Sequence, residues 1–418
     1  MKKQINVPSI IFSRFNEDSS WKSKKFKELL DQTEGIRRGP FGSALKKEFF
    51  VQNSEYVVYE QQNAIYDHFN TRYRISEEKY HELNKFMLSS GDFIMSGAGT
   101  IGKISLVPDG IEKGVFNQAL IRLRVNKNIN KEFFLQWMRS PEMQNNLTKA
   151  NPASAMVNLV PMSEVKEWDV IVPSFEEQSA IGSLFRTLDN LLSNYKDNLA
   201  NYQSLKATML SKMFPKTGQT VPEIRLDGFD AEWVEKCIGE LADIVRGASP
   251  RPIQDPKWFD SNSEIGWLRI SDVTSQNGRI HSLGQKISKL GQEKTRVLTE
   301  PHLLLSIAAT VGKPVINYVK TGVHDGFLIF MNPKFDREFM FQWLEMFREK
   351  WNRYGQPGSQ VNLNSDIVKN QKIFIPSIEE QCAIGSYFSN LDNLISSNQE
   401  KISQLETLKK KLLQDMFI

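Results

Sequence analysis

The 418-residue chain has only two cysteines, Cys237 and Cys382. They lie in different halves and have no His or Cys neighbour at metal-ligand spacing. Neither a disulfide framework nor a zinc site is expected, and a reducing cytoplasm fits. No stretch of 18 apolar residues occurs, so no membrane span is expected. The opening MKKQINVPSI has two lysines with no apolar run behind them, which argues against a signal peptide. Net charge is also scarce, at +4, too little by itself to indicate nucleic acid. Any nucleic-acid-binding surface would have to come from local segregation of charge.

Catalytic signatures are missing too. H-E-x-x-H, G-x-S-x-G and G-x-G-x-x-G do not occur, and His68, His81, His281, His302 and His324 are scattered. GAGTIGKI (97–104) has the spacing of a phosphate-binding loop, but Ile104 stands where Ser or Thr should reach magnesium. Neither NPAS (151–154) nor NPKF (332–335) fits an adenine-methyltransferase tetrad. The chemistry, if any, is expected to arrive with a partner.

What the chain does have is an internal repeat. Residues 172–214 align without a gap to 375–417, an offset of 203, with 20 identities in 43 positions. Further matches flank them. VPSIIFSRF (7–15) matches VPEIRLDGF (221–229), and Trp21 matches Trp233. SGAGTIGK (96–103) matches SIAATVGK (306–313), Gln136-Trp137 matches Gln342-Trp343, and 157–159 matches 361–363. Each half is thus a divergent block followed by a well-preserved segment.

The preserved segments read as helices. Ser174 with Glu177, and Ser377 with Glu380, have the S-x-x-E spacing of a capping box. Behind them apolar residues recur at spacings of three and four: Ile181, Leu184, Leu188, Leu191 and Leu205, then Ile384, Tyr387, Leu391, Leu394 and Leu408. A helix of about 39 residues is about 58 Å long, too long to be one face of a single small domain. Two such helices can pair as a coiled coil, with Asn398 as a polar seam position. Pro215 and PKTGQTVP (215–222) end the first helix. The expected segments are 1–171 and 215–374 as globular domains, with 172–214 and 375–418 as helices.

The blocks mix strand and helix patterns and predict an α+β domain each. In IRRGPFGSALKK (36–47), Arg37, Arg38, Ser43, Lys46 and Lys47 surround glycines that allow close backbone approach to DNA. VRGASPRP (245–252) is its counterpart, with Arg246, Ser249 and Arg251. Just after strands come Gln61 and Gln62, and Arg269, Ser271 and Asp272, groups that suit base edges. Thr100, Lys103, Thr310 and Lys313 sit in the shared turn, placed for phosphates. Taken alone, each loop reads equally well as a solvated polar turn.

V-P-E-I-R-x-x-G-F before a Trp, a divergent block, then [VI]-P-S-x-E-E-Q-x-A-I-G and a long helix ending in M-F resembles the specificity (S) subunit of type I restriction–modification enzymes. The resemblance covers essentially the whole chain, and the first copy departs from it at Ser9, Ile11 and Arg14. It implies two target-recognition domains on double-stranded DNA, separated by two antiparallel helices. It also implies docked methyltransferase (M) subunits, which use S-adenosylmethionine, and a restriction (R) subunit, which uses ATP and Mg2+. The S chain itself would bind no cofactor and do no chemistry. Two other readings are a scaffold joining two protein-binding domains, and a nucleotide-dependent enzyme using 97–104.

Overall fold

A computed structural model describes residues 8–10, 12–15, 21–97, 100–148, 160–216, 218–307, 310–354 and 363–417. The NPAS string, residues 157–159 and 361–362, Ile11, and the middles of both shared turns (98–99 and 308–309) lie outside these. No described helix is long and apolar enough to cross a membrane. The chain divides into two compact units, residues 1–196 with 400–418, and residues 197–399.

The first unit is α+β. Its main sheet has the strand order Ile36–Arg38, Leu120–Leu123, Phe93–Ser96, Ile104–Leu106, antiparallel throughout. A second sheet has the order Phe50–Val51, Tyr73–Ile75, Tyr56–Tyr59, Gly114–Phe116, and its last pair is parallel. Strand Lys22–Lys25 pairs with Asp169–Val172 just before the long helix Phe175–Lys212. The core gathers the strand residues Phe93 and Met95, the helix Lys131–Arg139 through Phe133, Phe134 and Trp137, and the long helix through Ile181, Phe185 and Leu188. Met416 and Phe417 join it, with the Phe417 ring 5.8 Å from Phe133 and 5.7 Å from Phe185.

The second unit repeats this plan. Its five-stranded sheet runs Asp243–Arg246, Phe327–Met331, Leu303–Ser306, Pro314–Asn317, Arg279–Ile280. Gly266–Trp267, Thr321–Val323 and Arg296–Leu298 form the smaller sheet. Helix Arg337–Phe347 packs on the second long helix, Ile378–Asp415, through Phe339, Ile384 and Phe388. Met213 and Phe214 complete this core, as Met416 and Phe417 complete the other. The string GWLRIS (266–271) is a two-residue strand followed by helix Ile270–Ser275. The Arg269–Asp272 cap ends the extended run.

Both long helices span 38 residues. Within the first unit Asp189 pairs with Lys409 (2.5 Å) and Lys196 with Glu406 (2.8 Å), so the two helices run antiparallel there. In the second unit Lys206 pairs with Asp392 (2.5 Å) and Phe214 stacks on Phe388, in the same sense. The buried face is Ile181, Phe185, Leu188 and Leu192, then Ile384, Phe388, Leu391 and Ile395. Of the expected stripe, Ile181, Leu188, Ile384 and Leu391 lie on this face, while Leu191, Leu205, Leu394 and Leu408 are each about 40% exposed. Choosing leucines by spacing alone passed over the phenylalanines and drifted one position off the face. Asn398 is buried, but its amide donates to Leu394 O on its own helix (2.7 Å), and the polar contacts across the pair come from the Asp189–Lys409, Lys196–Glu406 and Lys206–Asp392 bridges.

The P-S-x-E-E-Q-x-A-I-G string now has a physical account. Ser174 and Ser377 accept the Glu177 and Glu380 amides (both 3.3 Å), as an N-cap should. The glutamates were expected to reach back to the cap. Instead Glu177 accepts from Trp21 Nε1, and Glu380 from Trp233 Nε1, both at 3.4 Å. Gln178 donates to Pro173 O and accepts the Asn130 amide, and Gln381 does the same with Pro376 and Asp336. Asn130 and Asp336 are the N-caps of the short core helices. A Cβ on Gly182 would fall 2.9 Å from Phe133 N, and one on Gly385 2.9 Å from Phe339 N. The glutamine and glycine seat each short helix end-on against a long one.

Candidate nucleic-acid interface

The strand order brings separated loops to one rim. In the first unit, Arg38, Leu120, Ser96 and Ile104 all stand at the same end of the main sheet. Gly39 N donates to Leu120 O (2.9 Å), Gly97 N to Ala119 O (2.7 Å), and Asn117 N to Tyr59 O (3.0 Å). Loops 39–47, 59–62, 100–103 with Gly97, and 117–119 therefore form one edge. A Cβ on Gly39 would fall 1.9 Å from Asn117 O, so only glycine permits this approach.

The second unit builds the same rim. Gly247 N donates to Phe327 O (2.9 Å), Ala248 N to Val323 O (3.0 Å), and Ile307 N to Gly326 O (2.9 Å). Loops 246–252, 268–272, 310–313 with Ile307, and 324–326 meet there. In both shared turns a left-handed glycine, Gly102 (φ 79°) or Gly312 (φ 77°), bonds back to Ser96 or Ser306.

The two rims carry different side chains. In the first, Arg38, Ser43, Lys46, Lys47, Thr100 and Lys103 are exposed. Among the described residues, Lys46 pairs with Glu48 alone (3.7 Å). Gln61 and Gln62 are half-buried in the first turn of helix Gln61–Tyr66. Arg37 is turned away to Glu34 (2.9 Å), which also pairs with the buried Arg122. Those two arginines hold the Glu34 carboxyl below the usual range.

In the second rim the candidates are largely held by internal acids. Arg246 donates to Asp325 O (2.7 Å), Ser249 to Asp325 Oδ1 (2.7 Å), and Arg251 to Asp325 Oδ2 (2.8 Å). The Ser249 bond, helped by Arg251 and working against burial, keeps the Asp325 carboxyl below its ordinary range. Arg269 grips Asp272 through two nitrogens, and Asp272 also caps the helix by accepting Arg269 N (3.0 Å). Asp272 is buried, while Arg269 and Ser271 are exposed. Lys313 is half-buried between Glu345 and Asn277, and Thr310 lies 3.4 Å from Ser306 Oγ. Ser249, Arg251, Arg269, Asp272 and Lys313 are thus partnered, a fact that charge in a sequence does not reveal.

Sequence reasoning passed over Gln118 and Asp325, which face the two basic loops from equivalent places. It also passed over Phe41, the most exposed large apolar side chain among the described residues. Aligning NQALI (117–121) with HDGFL (324–328) from the repeat would have flagged the first two. Among the described residues no group of three or more His, Cys, Asp or Glu could hold a metal.

Comparison with known proteins matches this architecture. The profile of the type I restriction modification DNA specificity domain matches twice, over residues 19–201 and 230–407. The type I restriction enzyme MjaVIII specificity subunit of Methanocaldococcus jannaschii is 20% identical over 97% of this chain and 96% of that protein. The S subunit of a type I restriction–modification system from M. genitalium superposes with a TM-score of 0.63 at 15% identity, covering 99% of each chain. A chain from a type I R-M assembly gives 0.51 at 18% identity, covering 94% of this chain and 96% of that one. The duplicated profile and the duplicated rim agree, and the chain belongs to the type I restriction–modification DNA specificity family, as a specificity subunit with two target-recognition domains.

Proposed function

We propose that the chain reads an asymmetric, two-part site on double-stranded DNA, one half per domain, and does no chemistry itself. The observation that carries this is one rim built twice on the same backbone plan and furnished with unlike side chains. Shared geometry supports a shared kind of ligand, and different side chains support different half-sites. Exposed cations on the first rim, Arg38, Lys46, Lys47 and Lys103, suit phosphates; the glutamines Gln61, Gln62 and Gln118 suit base edges. On the second rim, Arg246, Arg269, Ser271 and Thr310 take these roles, while Asp325 orients Ser249 and Arg251.

The methyltransferase subunits dock, on this reading, along the two long helices. Leu191 and Leu408 in the first unit, and Leu205 and Leu394 in the second, are exposed and occupy equivalent repeat positions. Phe175 and Ile378 form a further equivalent exposed pair. Apolar positions of this kind on a helix are a protein-contact surface. S-adenosylmethionine, ATP and Mg2+ belong to the M and R partners, and the assembly works in the cytoplasm.

The test is to co-express the chain with its M subunits and map methylated adenines genome-wide. One split motif is expected. Exchanging residues 1–171 for those of a related chain should change one half of that motif. If both halves change, or none does, the two-reader assignment is wrong.

A further inference from the structure

We propose that Phe41 is a DNA wedge: it stacks on or between bases of the half-site read by the first domain and opens that step. The inference rests on the DNA reading above. Phe41 is 90% exposed; the next most exposed aromatic, Tyr66, at 72%, lies parallel to His68. Phe41 has no ring contact among the described residues.

Its exposure is built in. Pro40 on one side is buried, and Leu45 on the other inserts into a small core with Val58 and Ile75. Ala44 N donates to Phe41 O (2.9 Å) and closes the turn, while Gly39 N is tied to Leu120 O. The loop thus holds Phe41, Gly42 and Ser43 outward on a short anchored tip. The setting selects the partner. A protein pocket for an aromatic ring would favour an apolar surround. Phe41 instead stands among Arg38, Lys46 and Lys47, cations that fit phosphates on either side of a ring that fits base faces. Gln118 reaches toward the same tip, with its amide 4.0 Å from a Cβ built on Gly42. The corresponding loop of the second domain, Gly247 to Arg251, carries no aromatic residue. The wedge therefore acts on one half-site only, and the other half-site is an internal control.

The experiment uses the full chain with its M subunits and the duplex defined by methylation mapping. Phe41→Ala should weaken binding about 5- to 150-fold, the range for losing one base–aromatic stack. The loss should shrink to a few-fold on a duplex with an abasic site at the wedged step, where no unstacking is needed. 2-Aminopurine placed through the first half-site should brighten at one step with the wild-type chain and stay dark with Phe41→Ala. The same probe in the second half-site should respond equally to both chains. A Lys46→Ala/Lys47→Ala variant separates the two levels of the claim. If it weakens DNA binding while Phe41→Ala does not, the wedge is refuted and the DNA reading stands. If neither variant weakens binding, this rim is not the DNA interface. If Phe41→Ala instead releases the M subunits, the ring is a protein contact and the wedge is refuted.

Discussion

The buried carboxylates under the two tryptophans offer a stability experiment with its own control. In the second unit, Glu380 is 2% exposed and Arg225 16%. Arg225 Nε and Nη2 each lie 2.7 Å from a Glu380 oxygen. Replacing Arg225 with Met keeps the apolar stem but strands the carboxylate, which retains only Trp233 at 3.4 Å. Removing one member of a buried pair costs about 3–5 kcal/mol. In the first unit the equivalent Glu177 accepts from Trp21, and burial, partly opposed by that bond, pushes its carboxyl above the usual range. Glu177→Gln keeps the acceptor and removes a charge that was already disfavoured, so about 1 kcal/mol or less is expected. Hydrogen exchange followed by mass spectrometry reads each unit separately, which matters because two units need not unfold as one. Peptides spanning 221–237 should lose protection in Arg225→Met, while those spanning 21–30 should hold in Glu177→Gln. Arg225→Met/Glu380→Gln, which removes both charges, should recover most of the loss. Equal effects of the two single variants would show that the arginine does not carry the difference.

Two more outcomes follow from the same contacts. Asp189→Lys should loosen the helix pairing in the first unit by about 1–2 kcal/mol, the side chains being only partly buried. Adding Lys409→Asp should restore it, because Gln136, which now donates to Asp189 (3.0 Å), has a buried and unpaired Oε1 free to accept from a lysine. A double variant no better than the single would remove the bridge from the account. Glu177 and Glu223 should respond oppositely to pH. The raised carboxyl of Glu177 stabilises the first unit below the ordinary glutamate value and loses that contribution as pH climbs through its folded value. Bonds from Lys212 and Lys216 depress Glu223 to about 2, so its contribution is present above the ordinary value and lost as pH falls through about 2. Denaturation from pH 2 to 7 of Glu177→Gln and Glu223→Gln, each against wild type, should differ in sign.

The helices were legible because their signals are local: a serine cap, an unbroken periodicity, a proline stop. The α+β class followed from the same kind of pattern. The rim was legible only in pieces. Arg38, Ser96, Ile104 and Leu120 become neighbours through an antiparallel strand order that no short window contains. Charge misled where its partner was remote in sequence: Lys313 looked free, but Glu345 holds it from the next helix. Glu177 and Glu380 kept their helix-start positions while their side chains served Trp21 and Trp233, from 156 and 147 residues away.

The placement of Met416 and Phe417 bears on how the protein is made. The first unit cannot close its core until residues 400–418 have been synthesised, although most of it is translated first. Its Phe133 and Phe185 must wait for Phe417, which follows them by 284 and 232 residues, a long-range contact of the kind that slows folding. The second unit comes from one continuous stretch and has everything it needs by residue 399. On the ribosome the order of completion should therefore be reversed from the order of translation, and a chain stopped before residue 400 should present a finished second unit beside an open first one.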